Sequence, residues 1–320
     1  MRFPLADWID GHAECRYLFG ASGMAGVVRP PTPGARDLRA ASEDELRRRL
    51  GALVGVDPTR VFLSPGATEA NAWVTWFVAR RAGPHVPRCR VALPEYPPLF
   101  EGPRSAGFRL VTRPTDRVDL AVVSQPRNPE GDLWSRDRLA EFAERSGATL
   151  VDETFREFSR VGSTLRWHLP REWATGSFTK AYGGDDLRVG WVVAPEEDRA
   201  EFARFHGIAA NELARASVAG ALATLDARER LLKVVRTIVD RNRRLWTAAT
   251  PGGPPLSGPV AFDRTVGPDG DRFARRCLRR SVLVCPGSFF GEKGGVRVGL
   301  TRTTFPRDLA RYRAVRDAAG

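Results

Sequence analysis

Short apolar segments alternate with longer amphipathic ones through most of this chain, and this alternation limits its possible folds most strongly. Residues 61–63, 120–124 and 148–151 have the length and composition of buried strands, whereas 42–53 and 67–78 carry apolar residues at helical spacing. Strands that alternate with helices form parallel sheets, because each helix returns the chain to the same edge. We therefore predict an α/β fold, with a mostly parallel sheet covered by helices on both faces.

Prolines and glycines divide the chain into parts. The run Pro251-Gly252-Gly253-Pro254-Pro255 is the clearest boundary, and a shorter α+β pattern follows it. We predict a large domain over residues 31–245 and a small C-terminal domain over residues 246–320. Closely spaced glycines interrupt residues 1–30, which we predict to be an irregular segment that packs on the small domain or on a partner subunit.

The composition argues against several classes of function. The net charge is +12, but the arginines are spread along the whole chain without a helix-turn-helix, zinc-finger or RNA-binding motif, so we expect no specific nucleic-acid binding. No apolar stretch reaches the length of about 18 residues that a membrane span needs. Histidine is scarce and the cysteines are scattered, so we expect no metal site and reduced thiols in the cytoplasm. The cysteines are Cys15, Cys89, Cys277 and Cys285.

Lysine is almost absent, and one of the few lysines lies in an unusual segment. Of the 50 Lys and Arg residues, only Lys180, Lys233 and Lys293 are lysines. Lys180 lies between hydroxyl-bearing residues and glycines, in Ser177-Phe178-Thr179-Lys180-Ala181-Tyr182-Gly183-Gly184. Arginine stays protonated, whereas a lysine amine can lose its proton and attack a carbonyl to form an imine. The segment favours covalent chemistry at Lys180, although the residue by itself is also compatible with an ordinary surface lysine.

Other polar residues stand where predicted strands end, which is the edge at which α/β sheets place their sites. Gly66-Ala67-Thr68 opens a helix whose free amides can hold an anion. Asp152 closes an apolar strand, where a carboxylate must be paired, solvated or functional. Arg297 lies within an apolar strand and requires an anion for a similar reason. Two loops complete the set, Pro94-Glu95-Tyr96-Pro97 and Gln125-Pro126-Arg127-Asn128-Pro129-Glu130-Gly131.

In this order and spacing, the segments resemble the fold type I pyridoxal-phosphate enzymes. The closest resemblance is to the class I and II aminotransferases, in the branch with histidinol-phosphate aminotransferase and threonine-phosphate decarboxylase. It covers about residues 40–310 and is strongest over 151–158 and 177–191. It implies pyridoxal 5'-phosphate (PLP) as cofactor and a homodimer. It also implies a mixed, mostly parallel seven-stranded sheet sandwiched by helices, with a smaller α+β C-terminal domain.

The resemblance implies a role for each residue of the site. Lys180 would form the internal aldimine with the cofactor and would then move a proton at the substrate Cα. Asp152 would pair with the pyridinium nitrogen, and Tyr96 would stack on the cofactor ring. These three are the implied catalytic residues, and Asn128 would donate a hydrogen bond to the phenolate oxygen of the cofactor.

The same resemblance implies how the two anionic groups are held. The cofactor phosphate would accept charge-assisted hydrogen bonds from a helix N-terminus and from the lysine loop. The residues implied for this are Gly66, Ala67, Thr68, Ser177 and Arg188. Arg297, together with Asn128, would bind the substrate α-carboxylate, because a guanidinium matches a carboxylate with two parallel hydrogen bonds.

Three positions depart from the family pattern. Phe155 belongs to the implied cofactor site, but the family usually has a tyrosine at this position. That tyrosine donates a hydrogen bond to the phenolate oxygen, so here Asn128 would be the sole donor to it. Arg29-Pro30-Pro31-Thr32-Pro33 lacks the phenol that reaches the partner subunit's phosphate in that branch. Glu130 replaces the more common threonine of an Asn-Pro-Thr-Gly segment.

These residues favour an aminotransferase of amino-acid metabolism, which moves an amino group between an amino acid and a 2-oxo acid. A PLP-dependent decarboxylase of the threonine-phosphate type is the alternative, because the same cofactor and lysine serve either reaction. A phosphorylated substrate would need another anion site, for which Arg16, Arg29 and Arg302 are candidates. A non-catalytic regulatory module is disfavoured, because the chain retains Lys180 and Asp152.

Overall fold

A seven-stranded sheet forms the centre of the protein. The structure is a computed structural model that describes residues 4–111 and 116–318. The outer ends of the predicted N-terminal segment and small domain, residues 1–3 and 319–320, lie outside the described residues, as do residues 112–115 of the predicted large domain.

The strands of this sheet alternate with helices along the chain, as the apolar pattern predicts. They are β1 (Val61–Ser64), β2 (Arg88–Val91), β3 (Arg109–Val111), β4 (Val118–Ser124), β5 (Ser146–Asp152), β6 (Glu172–Ser177) and β7 (Gly190–Val193). Their order across the sheet is β1-β7-β6-β5-β4-β2-β3. β7 runs antiparallel to both of its neighbours, and the other pairs are parallel. The prediction of a mixed, mostly parallel seven-stranded sheet is therefore confirmed.

Helices cover the sheet and continue beyond it. They are α1 (Pro4–Asp10), α2 (Ala35–Ala40), α3 (Glu43–Val54), α4 (Ala67–Arg81), α5 (Pro98–Ser105), α6 (Arg136–Ala143), α7 (Arg199–Ala209), α8 (Arg215–Asp226), α9 (Arg228–Ala249), α10 (Gly270–Leu278) and α11 (Phe305–Asp317). Within the described ranges, none of them combines the length and apolar character that a membrane crossing requires.

The sheet is buried on both faces, which explains why its strands are continuously apolar. In β7, Trp191 and Val193 belong to the core formed with α3, α8 and α9, whereas Val192 belongs to the core formed with α4 and α7. Side chains along a strand alternate between faces, so consecutive apolar residues supply both cores. The α4 side is rich in aromatic contacts, such as that between Phe77 and Trp173.

A second, three-stranded antiparallel sheet lies beyond α9. It consists of β8 (Val260–Asp263), β9 (Cys285–Pro286) and β10 (Val296–Gly299), in the order β8-β10-β9. Its core includes residues distant in sequence: Phe19 stacks on Phe305 with ring centroids 5.2 Å apart, and Trp246 from α9 packs in the same cluster. The N-terminal residues therefore pack with this second sheet.

The first residues of the chain correct one prediction. Residues 1–30 are predicted to be irregular, but α1 is a helix over Pro4–Asp10. Its Leu5 is buried in a cluster with Cys285 and Phe290, and the indole of Trp8 donates a hydrogen bond of 2.8 Å to the carbonyl of Val284. Tertiary contacts thus stabilise a helix that would be too short to persist in isolation.

The topology brings several polar strand ends to one edge of the large sheet. Ser124 at the end of β4 is in register with Asp152 at the end of β5. Ser177 at the end of β6 is in register with Gly190, the first residue of β7, and Gly190 is in turn paired with Ser64 of β1. This edge is where an α/β sheet places its site.

Candidate active site

A cleft opens at this edge, and all the residues predicted to bind the cofactor line it. They are Gly66, Ala67, Thr68, Tyr96, Asn128, Asp152, Phe155, Ser177, Lys180 and Arg188. Arg297 is buried and does not line the cleft surface, although it contacts Asn128. Arg16, Arg29 and Arg302, the candidates for an additional anion site, are also absent from the cleft lining.

The turn between β1 and α4 forms one wall of the cleft. Gly66 has a φ of +128°, which favours glycine, and a side chain there would come within 3.1 Å of the Arg188 guanidinium. The 15-residue helix α4 begins directly afterwards, so the amides of Ala67 and Thr68 have no acceptor within the helix. Free amides and the positive end of the helix dipole face the cleft, which suits an anion.

The end of β6 and the residues after it supply another part of this anion-binding wall. Ser177 and Thr179 both line the cleft, and their hydroxyl oxygens are 2.7 Å apart. Arg188 is exposed, and its φ of 50° places the backbone in the left-handed conformation as the chain enters β7. The sequence prediction omitted Thr179; a hydroxyl immediately before a reactive lysine was the available signal.

Asp152 is buried at the end of β5, with an exposed fraction of 6%, and is held by two hydrogen bonds. Asn71 donates from Nδ2 to Asp152 Oδ2 at 2.7 Å, and the backbone amide of Thr154 donates to Oδ1 at 2.8 Å. The Asn71 Oδ1 atom accepts a hydrogen bond of 2.7 Å from the hydroxyl of Thr175 on β6. The carboxylate is thus fixed from α4, from its own loop and, through Asn71, from the neighbouring strand.

Lys180 is half-buried, three residues beyond the end of β6. Burial is the main cause that lowers the pKa of its amine, and the carboxylate of Asp185 opposes this effect. The N-terminal segment covers the lysine: the amide of Met24 donates to the Lys180 carbonyl at 2.9 Å, and a side chain at Gly23 would contact Lys180 Cδ at 3.4 Å. A more readily deprotonated amine in a covered cleft is suited to nucleophilic and proton-transfer chemistry.

Tyr96 lies in the loop between β2 and α5 and lines the cleft. Burial raises the pKa of its phenol to about 12, the charge of Asp152 adds to this, and a hydrogen bond with Thr68 partly offsets it. The phenol therefore stays protonated at neutral pH, and its ring lies in the same cleft as Asp152 and the α4 N-terminus.

Arg297 of β10 lies directly behind Asn128. Its Nη1 donates to Asn128 Oδ1 at 3.1 Å and its Nη2 donates to the carbonyl of Gly20 at 3.0 Å. The guanidinium also lies 4.9 Å from the centre of the Phe290 ring. Arg297 is 2% exposed, its Nε has no hydrogen-bond partner, and no carboxylate among the described residues lies within 4 Å of it. The Nε–H of this buried guanidinium is therefore left for an anionic ligand.

Phe155 lines the cleft with a side chain that has no polar atom. It is buried beside Phe158, with ring centroids 6.0 Å apart. The neighbouring Thr154 lines the cleft, and its hydroxyl oxygen is buried without a hydrogen-bond partner among the described residues. The sequence prediction did not include Thr154, Asn71, Ser22 or Asp185, although Thr154, Ser22 and Asp185 line the cleft and Asn71 holds Asp152.

Comparison with known proteins gives consistent results. Residues 108–307 match the family model described as "Aminotransferase class I and II". The chain is 28% identical to capreomycidine synthase from Streptomyces vinaceus, over 96% of this chain and 92% of that protein. It is 30% identical to the aromatic amino acid aminotransferase of Thermobifida fusca, over 88% of this chain and 80% of that protein. A solved PLP-dependent aminotransferase from Streptococcus suis superposes with a TM-score of 0.80 at 18% identity, over 100% of this chain and 98% of that one.

Proposed function

The chain belongs to the class I and II aminotransferase family and is a PLP-dependent aminotransferase, and on this premise we propose that Lys180 carries its chemistry, with an amino acid and a 2-oxo acid as substrates. The observation that supports the assignment of the site is the convergence of Lys180, the held carboxylate of Asp152 and an anion-binding wall in one cleft. The alternative of an amino-acid decarboxylase is not favoured by the family match, and the matched relatives include histidinol-phosphate aminotransferase.

The residues of the cleft fit PLP. The free amides at the start of α4, with the hydroxyls of Thr68, Ser177 and Thr179, are donors of the kind that a phosphate requires. Arg188 supplies a positive charge beside them, and a Cβ at Gly66 would crowd its guanidinium. We assign this wall to the cofactor phosphate, Asp152 to the ring nitrogen, Tyr96 to the ring face and Asn128 to the phenolate oxygen.

Once bound, the cofactor supplies an electron sink for the charge that develops when the substrate Cα loses its proton. The chain supplies the group that moves that proton. Lys180 suits this role because burial lowers the pKa of its amine, so that the neutral base is accessible nearer to neutral pH. Asp152, fixed by Asn71 and by its own loop, would accept a hydrogen bond from the ring nitrogen and favour its protonated form.

Arg297 and Asn128 are assigned to the substrate carboxylate. The bond between Arg297 Nη1 and Asn128 Oδ1 joins the two side chains into one unit, which connects β10 of the second sheet to the loop after β4. The Arg297 Nε, which has no hydrogen-bond partner among the described residues, gives an incoming carboxylate a charged donor to pair with. Binding the substrate here would also desolvate it against a buried cation, where electrostatic attraction is strong.

We further propose that the protein is a homodimer, as its family resemblance implies, and that it is cytoplasmic. Scattered cysteines without a disulfide among the described residues support the reducing compartment. Light scattering on the purified protein tests the dimer directly, and a monomer at micromolar concentration that remains active would contradict it.

The proposed role of Lys180 has a clean test, because the chain has so few lysines. The purified protein is incubated with PLP and reduced with borohydride, and the pyridoxyl group is mapped by peptide mass spectrometry. We expect the group on Lys180 and its loss in Lys180→Ala. Lys233→Ala, at an exposed position of α9, is the matched control and should retain the label. A label on Lys233 or Lys293 alone, or amino transfer by Lys180→Ala at the wild-type rate, would overturn the assignment.

A further inference from the structure

A fully buried carboxylate lies next to the cleft without touching it. Glu95, the residue before Tyr96, has an exposed fraction of 0% and is not part of the cleft lining. Its Oε1 accepts from the backbone amide of Tyr96 at 2.7 Å, and its Oε2 accepts from the backbone amide of Ser124 at 2.8 Å. The Ser124 hydroxyl is 2.7 and 2.8 Å from the two oxygens. A carboxylate is the acceptor that this arrangement requires, since every contact is a donor.

These hydrogen bonds connect the two loops that carry the assigned ring contacts. Ser124 Oγ donates to Glu95 and accepts from the backbone amide of Asn128 at 2.9 Å. Glu95 therefore holds the backbone of Tyr96 directly and the backbone of Asn128 through one hydroxyl. Glu95 thereby joins the two loops through side-chain hydrogen bonds, with Ser124 as the connecting group.

The connection continues to the second sheet and returns to Asn128. The backbone amide of Glu95 donates to the carbonyl of Phe290 at 2.9 Å, and the Phe290 ring faces the Arg297 guanidinium. Arg297 in turn donates to Asn128 Oδ1. These contacts therefore form a closed circuit beside the cleft, which comprises Glu95, Phe290, Arg297, Asn128 and Ser124. In such a circuit, displacement of one member is transmitted to the others.

Arg127 provides the compensating charge. It is 3% exposed, and its Nε lies 3.8 Å from Glu95 Oε2. Its Nη2 donates to the carbonyls of Ala92 and Pro94, and its guanidinium lies 4.4 Å from the centre of the Trp134 ring. Because these contacts anchor the guanidinium, it acts as a fixed positive charge beside a carboxylate that burial alone would disfavour.

We propose that Glu95 is a positioning residue of the active site, which sets Tyr96 and Asn128 relative to one another and hence relative to the bound cofactor, with Ser124 as its relay and Arg127 as its counter-ion. This inference rests on the proposed function. Glu95 touches neither cofactor nor substrate in this scheme and acts through the residues that do.

Glu95→Gln is the informative substitution, because it keeps the size of the side chain and replaces one acceptor oxygen by a donor. That donor would face either the amide of Tyr96 or the amide of Ser124, so at least one of the two loops must shift. Ser124→Ala is a second, milder variant, which keeps its backbone bond to Glu95 but removes the relay to Asn128. Glu172→Gln is the matched control, since Glu172 is also buried but starts β6 away from the cleft.

The readouts are PLP affinity of the apoprotein and the pH titration of the visible absorbance of the PLP-loaded protein. For Glu95→Gln we expect roughly tenfold weaker PLP binding, the size of one lost hydrogen bond to a charged group, together with a displaced titration midpoint. Ser124→Ala should displace the midpoint in the same direction by less. The control should change neither. The borohydride label should stay on Lys180 in all three, which keeps this test separate from that of the proposed function.

A folded Glu95→Gln protein with wild-type PLP affinity and an unchanged midpoint would overturn the proposal. Circular dichroism and the melting temperature establish whether each variant folds. If Glu95→Gln fails to fold, Ser124→Ala decides: a displaced midpoint supports the relay, and an unchanged midpoint overturns it.

Discussion

Asn71 on α4 donates a hydrogen bond of 2.7 Å to the carboxylate of Asp152 at the end of β5. The same amide accepts from Thr175 on β6, so its orientation is set from both sides. The donor is fixed before any ligand binds, and Asp152 still lines the cleft. A group held in this way loses little further freedom when the cofactor binds.

Replacing Asn71 by Ala should therefore impair catalysis more than folding. Loss of a hydrogen bond to a buried carboxylate is worth about 1.5–3 kcal/mol, which corresponds to a fall in kcat/KM of roughly ten- to a hundredfold. Steady-state kinetics of the folded variant measure this. Glu69→Gln, an exposed change on the same helix, is the control and should retain wild-type kcat/KM. An Asn71→Ala enzyme as active as the control would show that Asn71 does not orient Asp152.

Phe155→Tyr should lower the pKa at which the visible absorbance of the PLP-loaded protein changes. Phe155 lines the cleft without a polar atom, and a phenol there would add a second donor to the cofactor oxygen that Asn128 serves. A hydrogen bond to the charged form favours that form and lowers its pKa. Spectrophotometric pH titration of wild type, Phe155→Tyr and Phe155→Leu gives the comparison. Equal midpoints for Phe155→Tyr and wild type would contradict the prediction, and Phe155→Leu should leave the midpoint close to wild type.

Much of the fold and site could be predicted because the signals are local. An apolar strand that ends in Asp152, or a strand followed by Gly66-Ala67-Thr68 and a helix, is visible within a few residues. The order of such segments predicts the mixed seven-stranded sheet, and the structure confirms it. Lys180 stood out for a different reason, namely the scarcity of lysine in the whole chain.

The remainder depends on tertiary packing. In the sequence, Asn71 is an ordinary polar residue of a predicted helix. Only the packing of α4 on the sheet buries it beside Asp152. The helix α1 depends on contacts of Leu5 with residues near the other end of the chain. The location of Arg297 behind the cleft wall depends on how the three-stranded sheet meets the Asn128 loop. The apolar and polar pattern of a short sequence segment does not show such contacts between residues that are distant along the chain.

Arg264 links the Asn128 loop to the second sheet, and we expect this link to be measurable. Arg264 directly follows β8 and forms two hydrogen bonds to Glu130, two residues beyond Asn128, and two to Glu292. The Arg264 side chain is 47% exposed, so solvent screening limits the pair to about 0.5–1 kcal/mol of coupling with Glu130. A double-mutant cycle of Glu130→Ala and Arg264→Ala, followed by urea unfolding, should give a coupling energy of this size.

Added salt should weaken that coupling, because an exposed ion pair is screened over a distance of about 10 Å at 0.1 M ionic strength. Arg279→Ala is the control: Arg279 is exposed at the end of α10 and has no carboxylate within 4 Å among the described residues. The effects of Arg279→Ala and Glu130→Ala on the free energy of unfolding should be additive. Coupling between Glu130 and Arg264 that is zero, or that is unchanged by 1 M NaCl, would contradict an electrostatic link.

Glu172 should make the protein less stable as the pH rises toward the alkaline side of neutrality. It is 6% exposed at the start of β6, and burial is the main cause that raises the pKa of its carboxyl from 4.5 to about 7. Because the folded state binds this proton more tightly than the unfolded state, the stabilisation is fully present below pH 4.5 and is lost as the pH rises through 7. The loss is on the order of 1–3 kcal/mol.

Glu172→Gln removes this titration and should therefore make the free energy of unfolding depend less on pH. We expect the free energy of unfolding of the variant, relative to wild type, to rise by about 1–3 kcal/mol between pH 5 and pH 8. Urea unfolding at a series of pH values measures the difference. The contribution of Glu95, whose pKa burial also raises to about 7, is present in both proteins and cancels in the comparison. A difference between variant and wild type that stays constant over this pH range would show that Glu172 titrates normally, and would remove it as a source of alkaline destabilisation.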